Sequence, residues 1–375
     1  MIPKEAIIYY NNDNLNILNN NIIYQINIQS NFIYNFKNKI FASSLNNGIS
    51  PKTIFRLDAN SLFEYHLNFP FDFGIIYQDF YNFNLLKYYT PAINYDKINE
   101  KYFLGVFQTP SASIEDLNLY INVSKNKEFL SSINNEGNIY RNSILFIADE
   151  QGELLWTWDL FNYLKENNLS LSEHPIIQTA SKLGKNNLGL YENDIVISIS
   201  KRNLVLIINP INNKIDLQID TSCFNRTITS FCDAHVIPIG LPGGGQNLLF
   251  YNHNRNTKNL TEILEYDIIN KEVVFEYSSE LIDSNRSIVG SVQKLFNGNY
   301  FIYNYEKGNI IEIDKDKNLI FYLKVENETA DLSSPELRLT RGIHCARTQK
   351  VPYEWVEELI KNYELINENI AKWSC

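Results

Sequence analysis

A strand–turn–strand unit recurs through the second half of the chain, and few folds accommodate such a repeat. Ile144–Asp149 alternates its side chains, Glu150–Gly152 turns the chain, and Leu154–Trp158 returns. Leu204–Asn209 with Ile215–Leu217, Glu262–Asp267 with Glu272–Tyr277, and Asn309–Asp314 with Asn318–Tyr322 follow the same plan. Each first run ends in Asp or Asn, residue types whose side chains hydrogen-bond to turn backbone. Further strand-like runs precede the later units: Ile195–Ser200, Leu248–Asn252 and Tyr300–Tyr305. Asn297-Gly298 fits the type I′ turn of a tight hairpin. The third and fourth units lie roughly 45–50 residues apart, and that period with four strands per unit predicts a β-propeller. Weaker runs at Ile22–Ile28, Phe32–Phe36, Ile40–Ser43, Thr53–Leu57 and Leu62–His66 extend the series toward the N-terminus. The expectation is an all-β propeller of about six blades over residues 1–351, with residues 1–139 poorly placed by pattern. A β-sandwich has the same strand content but leaves the repeat unexplained. After Pro352 the pattern changes. Trp355, Leu359, Tyr363, Ile366, Ile370 and Trp373 recur at helical spacing, so residues 352–375 are expected to form an amphipathic helix packed on the propeller.

Charge narrows the partners of such a fold. The net charge of −10 repels phosphate backbones, so neither nucleic acid nor an anionic membrane surface is expected as a partner. No apolar run approaches the length of a membrane span, and the first residues lack the pattern of a secretory leader, so a cytoplasmic protein is expected. The four cysteines, Cys223, Cys232, Cys345 and Cys375, and the five histidines show no metal-ligand spacing. No metal and no cofactor is expected. The oligomeric state is left open.

Reactive side chains concentrate in one stretch, Cys232–Asn254. An apolar run, Val236–Ile239, enters a turn through Pro242 and Gly243–Gly245, and Asn247–Tyr251 returns. Glycines supply the positive φ of a tight reversal without steric cost. Cys232, Asp233, His235, Asn252 and His253 are thereby gathered at one hairpin.

The stretch resembles one in the bacterial arylsulfate sulfotransferases, a β-propeller family that does not use a nucleotide sulfate donor. Their pattern runs His-Asp-Ala, then Ile-Pro-x-Gly-Leu-Pro-Gly-x-Gly-Asn, then Phe-Asp-Asn. Four further stretches resemble family motifs in the same order. Ile176–Gly184 is similar to His-x-Asn-Ser/Thr-Ala-Ser-x-Leu-Gly, and Val196–Arg202 to a strand ending in Ser-Ser-Arg. Gly290–Asn299 is similar to Ser-x-x-Gln-Arg-Leu-Pro-Asn-Gly-Asn, and Lys350–Trp355 to Arg-Val-Pro-Tyr-x-Trp. The resemblance covers roughly residues 140–356 and implies a propeller with its site at the mouth of the central channel.

In that family a His accepts the sulfuryl group from an aryl sulfate and passes it to a phenol, while His, Asn and Arg side chains neutralise the sulfuryl oxygens. Here Cys232 stands where the family has the nucleophilic His. Ile176 falls at the second His and Gln178 at the Asn, with His174 two residues before Ile176. Ser200 falls at the Arg, with Arg202 two residues on. The resemblance therefore implies sulfuryl transfer to a phenolic acceptor. Cys232 would be the candidate nucleophile, Arg202, His174 and His235 the charge-stabilising groups, and Gln178, Asp233, Asn252, Ser291 and Arg347 the groups on a phenolic or aryl sulfate ligand. Two alternatives stand beside it: a non-catalytic binding or scaffolding propeller with a decayed site, and a different biosynthetic enzyme on the same scaffold. Cys232 itself reads as a buried structural thiol, a thiolate nucleophile or a non-covalent ligand contact. Satisfied core histidine is the plain reading of His235, and turn bracing that of Asp233 and Asn252. His253 and Arg255 read as loop residues. Arg341, His344 and Arg347 either line the same face or pair with surface carboxylates.

Overall fold

Alternating side chains and Asn-, Asp- or Gly-rich turns produce meanders here, each pairing antiparallel with the strand before it. The computed structural model describes residues 5–11, 14–19, 22–26, 30–36, 39–44, 53–58, 61–66, 92–94, 102–108, 143–149, 154–169, 177–199, 202–252, 261–283, 290–304, 307–325, 349–352 and 357. Among these, six four-stranded antiparallel sheets form a β-propeller-like, mostly β protein.

In chain order, β1 (Glu5–Asn11), β2 (Asn14–Asn19) and β3 (Ile22–Ile26) belong to the first sheet. The second is β4 (Ser30–Phe36), β5 (Lys39–Ser44), β6 (Thr53–Asp58) and β7 (Ser61–His66). The third is β8 (Ala92–Asn94), β9 (Tyr102–Gln108), β10 (Ser143–Asp149) and β11 (Leu154–Asp159), followed by helix α1 (Leu160–Glu166). The fourth is β12 (Ile177–Lys182), β13 (Ile195–Ile199), β14 (Leu204–Asn209) and β15 (Lys214–Asp220). The fifth is β16 (Cys232–Val236), β17 (Asn247–Asn252), β18 (Glu262–Asp267) and β19 (Glu272–Ser278). The sixth is β20 (Gly290–Lys294), β21 (Tyr300–Asn304), β22 (Asn309–Ile313) and β23 (Leu319–Lys324). Finally β24 (Gln349–Pro352) crosses back to pair with β1, Ala6 opposite Val351, and completes the first sheet.

Burial follows strand position. The second and third strands of the last three sheets are covered on both faces, so β13, β14, β17 and β21 read as nearly unbroken Ile, Leu, Val, Phe and Tyr runs. The fourth strands, β15, β19 and β23, lie at the rim and keep exposed side chains. Apolar clusters fill the spaces between sheets. Val205, Ile207 and Ile219 of the fourth meet Val236, Leu248 and Phe250 of the fifth, and Ile7 of the first joins Phe301, Tyr303 and Ile310 of the sixth.

Three details depart from the sequence expectation. The first strand of the Gly-rich hairpin is Cys232–Val236, not Val236–Ile239, and Pro238–Gly240 already belong to the turn. Helix α1 was not expected; Asp159 caps it, accepting a hydrogen bond of 3.1 Å from the Asn162 amide, and Leu160 and Leu164 bury its inner face. Pro352, expected at the start of a helix, ends β24 instead. Of the expected helix beyond it, all but Glu357 lies outside the described residues. Among the described residues no helix is long and apolar enough to cross a membrane.

Candidate functional site

The β-register aligns the candidate residues. Thr179 lies opposite Ser198, Cys232 opposite Tyr251 and Ser291 opposite Tyr303. These are equivalent positions near the start of the first strand in three consecutive sheets. All three small polar side chains are buried. Both β12 and β16 carry a β-bulge here, so Gln178 and the Asp233–Ala234 step fall outside regular pairing. A bulge re-aims the side chains beside it.

Cys232 is 3% exposed and packs in the apolar cluster that includes Leu249, Tyr251 and Ile237. Its Sγ lies 3.3 Å from Ser230 Oγ. Asp233 takes a left-handed backbone, φ 52°, which Asp tolerates better than most residues. This turns its carboxylate toward the sixth sheet, where Oδ2 accepts a 2.9 Å hydrogen bond from the buried Val292 amide. His235 is half-buried, with Nδ1 2.8 Å from the Asp233 carbonyl. Such a contact fixes the ring's orientation.

Asn252 is wholly buried at the end of β17. Its Oδ1 accepts from the Thr229 amide at 3.0 Å, and its Nδ2 donates to Glu262 Oε2 at 3.1 Å and to the Thr227 carbonyl at 3.3 Å. Asn304 ends β21 in the same position. It accepts from the Lys307 amide at 3.0 Å and donates to the Asp283 carbonyl at 3.0 Å. In both sheets this Asn ties down the segment that leads into the first strand, the bracing role its residue type favours.

The remaining candidates scatter. Gln178 is half-buried on β12, and its Oε1 has no hydrogen-bond partner. Arg202 is half-buried in the β13–β14 turn, at the same end of its sheet as Gln178. His174, Arg347, His253, Arg255, Arg341 and His344 lie outside the described residues. Among the described residues no three His, Cys, Asp or Glu side chains converge as a metal site.

Two buried carboxylates hold charged contacts elsewhere, between sheets. Glu265 on β18 accepts from Asn247 Nδ2 at 2.6 Å, Tyr300 OH at 2.6 Å and Lys294 Nζ at 3.1 Å. Burial pushes the Lys294 ammonium down, against the pull of Glu265, and pushes the Tyr300 phenol up. Glu312, the equivalent residue of β22, accepts from Asn299 Nδ2 at 2.6 Å and pairs with Lys350 Nζ at 2.5 Å. Burial opposes its charge, yet Lys350 and Asn299 hold it below the usual carboxylate range. Sequence reading passed over these groups. The available clue was one acid interrupting an apolar third strand at the same place in two successive units.

No protein-family model matches the chain, and no curated protein matches it. Solved structures do show similarity to it. A protein of unknown function from Bacteroides caccae superimposes with a TM-score of 0.48 at 11% identity, over 93% of this chain and 99% of its own. A streptogramin B lyase gives 0.45 at 12% identity, over 85% of this chain and 78% of its own. Virginiamycin B lyase from Staphylococcus aureus gives 0.43 at 9% identity, over 85% and 79%. None of them is described as an arylsulfate sulfotransferase.

Proposed function

We propose that the six sheets are the blades of one closed β-propeller, and that the protein is a ligand-binding or scaffolding module in which a sulfuryl-transfer site has been lost. The ring is supported by a chain of neighbours. β8 lies against β4, β12 against β8 and β9, β16 against β12, and β20 against β16. Gln293 then holds the Lys350 backbone through hydrogen bonds of 2.9 Å in both directions, and β24 returns to β1.

One observation carries the functional reading: the Cys232 thiol occupies a buried, repeated packing position. A sulfuryl-accepting nucleophile needs open approach and nearby cations to balance the sulfate oxygens. A thiol packed away from solvent is instead inert. The resemblance puts Asp233 and Asn252 on the substrate, but Asp233 Oδ2 accepts from the Val292 amide, and Asn252 bonds Glu262 and the 227–230 segment. The sulfotransferase likeness then reads as ancestry. Gln178 and Arg202 are two half-buried polar groups at one end of the fourth sheet, and a small phenolic or aryl compound is the ligand they suit.

The test is incubation with 4-nitrophenyl sulfate and phenol across a range of pH, with calorimetric titration of each compound alone. No nitrophenol release, with binding of one compound weakened by Gln178→Ala, is expected. Release abolished by Cys232→Ala would restore the sulfotransferase reading, and release insensitive to that change would place a different enzyme on the scaffold.

A further inference from the structure

One buried carboxylate holds an amine and an amide together. Glu265 Oε2 accepts from Lys294 Nζ at 3.1 Å, and its Oε1 accepts from Asn247 Nδ2 at 2.6 Å. Glu265 lies on β18, Asn247 begins β17, and Lys294 ends β20 of the next sheet. All three side chains are buried. The surroundings are aromatic: Lys294 Nζ lies 3.6 Å from the centre of the Tyr300 ring, and Phe275 stacks on that ring at 3.8 Å. Gly243 leaves room for the group. A Cβ there would overlap Glu265 Oε1 and stand 2.5 Å from Asn247 Nδ2. The acyl oxygen of the amide, Asn247 Oδ1, is buried with no hydrogen-bond partner. A buried acceptor left without a donor is uncommon and calls for a reason.

The same residue types recur one sheet on, where Glu312 accepts from Asn299 Nδ2 and from Lys350 Nζ. That group is wetter. Asn299 is half-buried, and the Lys350 side chain is 15% exposed against 6% for Lys294. Lys350 and Asn299 hold Glu312 charged there despite its burial. Around Lys294 the balance differs: burial pushes the ammonium down, against the pull of Glu265. A desolvated lysine is drawn toward the neutral amine, its nucleophilic form.

We propose that Lys294 and Asn247 join in an intramolecular isopeptide bond that ties the fifth sheet to the sixth, with Glu265 as the acid and base of the reaction. Glu265 first takes the ammonium proton, which leaves a neutral amine beside a neutral carboxyl. The Nζ lone pair then attacks Asn247 Cγ, the new C–N bond forms, and the C=O pair moves onto Oδ1. Glu265 gives its proton to Nδ2. The C=O bond re-forms, the Cγ–Nδ2 bond breaks, and ammonia leaves. Glu265 takes the surplus proton from Nζ and passes it to the ammonia. The sum is one new amide, one ammonium ion released and Glu265 returned as a carboxylate, with nothing oxidised or reduced. The dry site keeps water from competing with the amine.

Peptide mass spectrometry tests it on the full chain, incubated folded at neutral pH and then digested after denaturation. Asn297-Gly298 can also shed ammonia through its own backbone, so the branched peptide is the readout rather than the intact mass. Wild type is expected to yield a peptide joining Lys294 to Asn247, lighter by one ammonia than its two arms combined. Lys294→Arg, which keeps the cation, and Glu265→Gln, which keeps the shape, are expected to yield no such branch. Recovery of wild-type Lys294 only in linear peptides would overturn the bond, whether or not the variants fold. A branch onto Glu265, with water lost in place of ammonia, would overturn Asn247 as the acyl group. A Lys294–Asn247 branch that persists in Glu265→Gln would overturn the role given to Glu265.

Discussion

Glu265 and Lys294 form an ion pair of 3.1 Å whose side chains are only 4% and 6% exposed, and the pair joins β18 of one sheet to β20 of the next. Tyr300 and Asn247 also donate to the carboxylate, and Lys294 Nζ lies 3.6 Å above the Tyr300 ring. Taking one partner from such a pair strands the other charge away from water. Lys294→Ala is expected to destabilise the protein by about 3–5 kcal/mol in urea unfolding. The chain carries its own apolar counterpart, because Ile207 and Val236 hold the equivalent positions one sheet earlier and meet in one cluster. The double change Glu265→Ile with Lys294→Val is therefore expected to cost less than Lys294→Ala alone. The Tyr300 hydroxyl and Asn247 amide, left without their acceptor, keep it from being neutral. A double variant less stable than the single one would reject this account.

Gly290 begins β20 where any side chain would meet a wall. A Cβ there would overlap the Tyr303 carbonyl and stand 2.6 Å from the Tyr251 ring. Tyr251 cannot retreat, since its hydroxyl donates to the Ile282 carbonyl at 2.8 Å and its ring is buried. Overpacking of this kind costs about 1–3 kcal/mol, and more where backbone is the obstacle. Gly290→Ala is expected at or above the top of that range. Gly290→Ala with Tyr251→Leu is expected to recover only part, because the carbonyl remains. Calorimetric unfolding of both variants checks the order.

The Asp233 carboxylate and the Val292 amide join two sheets. Asp233→Ala leaves the Val292 amide buried without its acceptor and puts alanine at φ 52°. A loss of about 1–3 kcal/mol is expected from the unsatisfied donor. Asp233→Asn keeps an acceptor oxygen and a residue type tolerant of that backbone, and is expected to stay within about 1 kcal/mol of wild type. Equal losses in the two variants, measured in urea, would separate the stability from this hydrogen bond.

Much of this architecture was legible because each meander announces itself locally. Alternation, a turn of Asn, Asp or Gly, and a second alternation are properties of roughly ten adjacent residues. The units at Glu262–Ser278 and Asn309–Lys324 stand close to where pattern places them. What failed depended on distance or on exceptions to the period. The β-bulge in β16 defeats a strict count of inward and outward residues, so His235 could not be assigned a face. Pro352 reads as a helix start, yet it lies opposite Glu5 at the end of β24, an edge strand, where a missing amide is tolerated. Cys232, Asp233 and Asn252 were legible as a gathering of reactive types. Their actual bonds run to Ser230, Val292 and Thr229, partners that no spacing rule selects.

Cys232 and Cys223 make the plainest contrast between a buried and an open thiol, and the contrast bears on the chemistry. Cys223 is exposed at the end of the short 3-10 turn Thr221–Cys223, while Cys232 lies in the apolar cluster beside Tyr251. Reaction with an alkylating agent needs approach to the sulfur, and burial withholds it. Brief alkylation of the folded protein, followed by peptide mass spectrometry, is expected to modify Cys223 and leave Cys232 intact. Alkylation in urea is expected to modify both. Cys232→Ser keeps a small polar group like Ser291 at the equivalent position, and is expected to cost about 1 kcal/mol or less. Rapid modification of Cys232 in the folded state would show a reactive thiol, and a large loss in the serine variant would show that the site tolerates only sulfur.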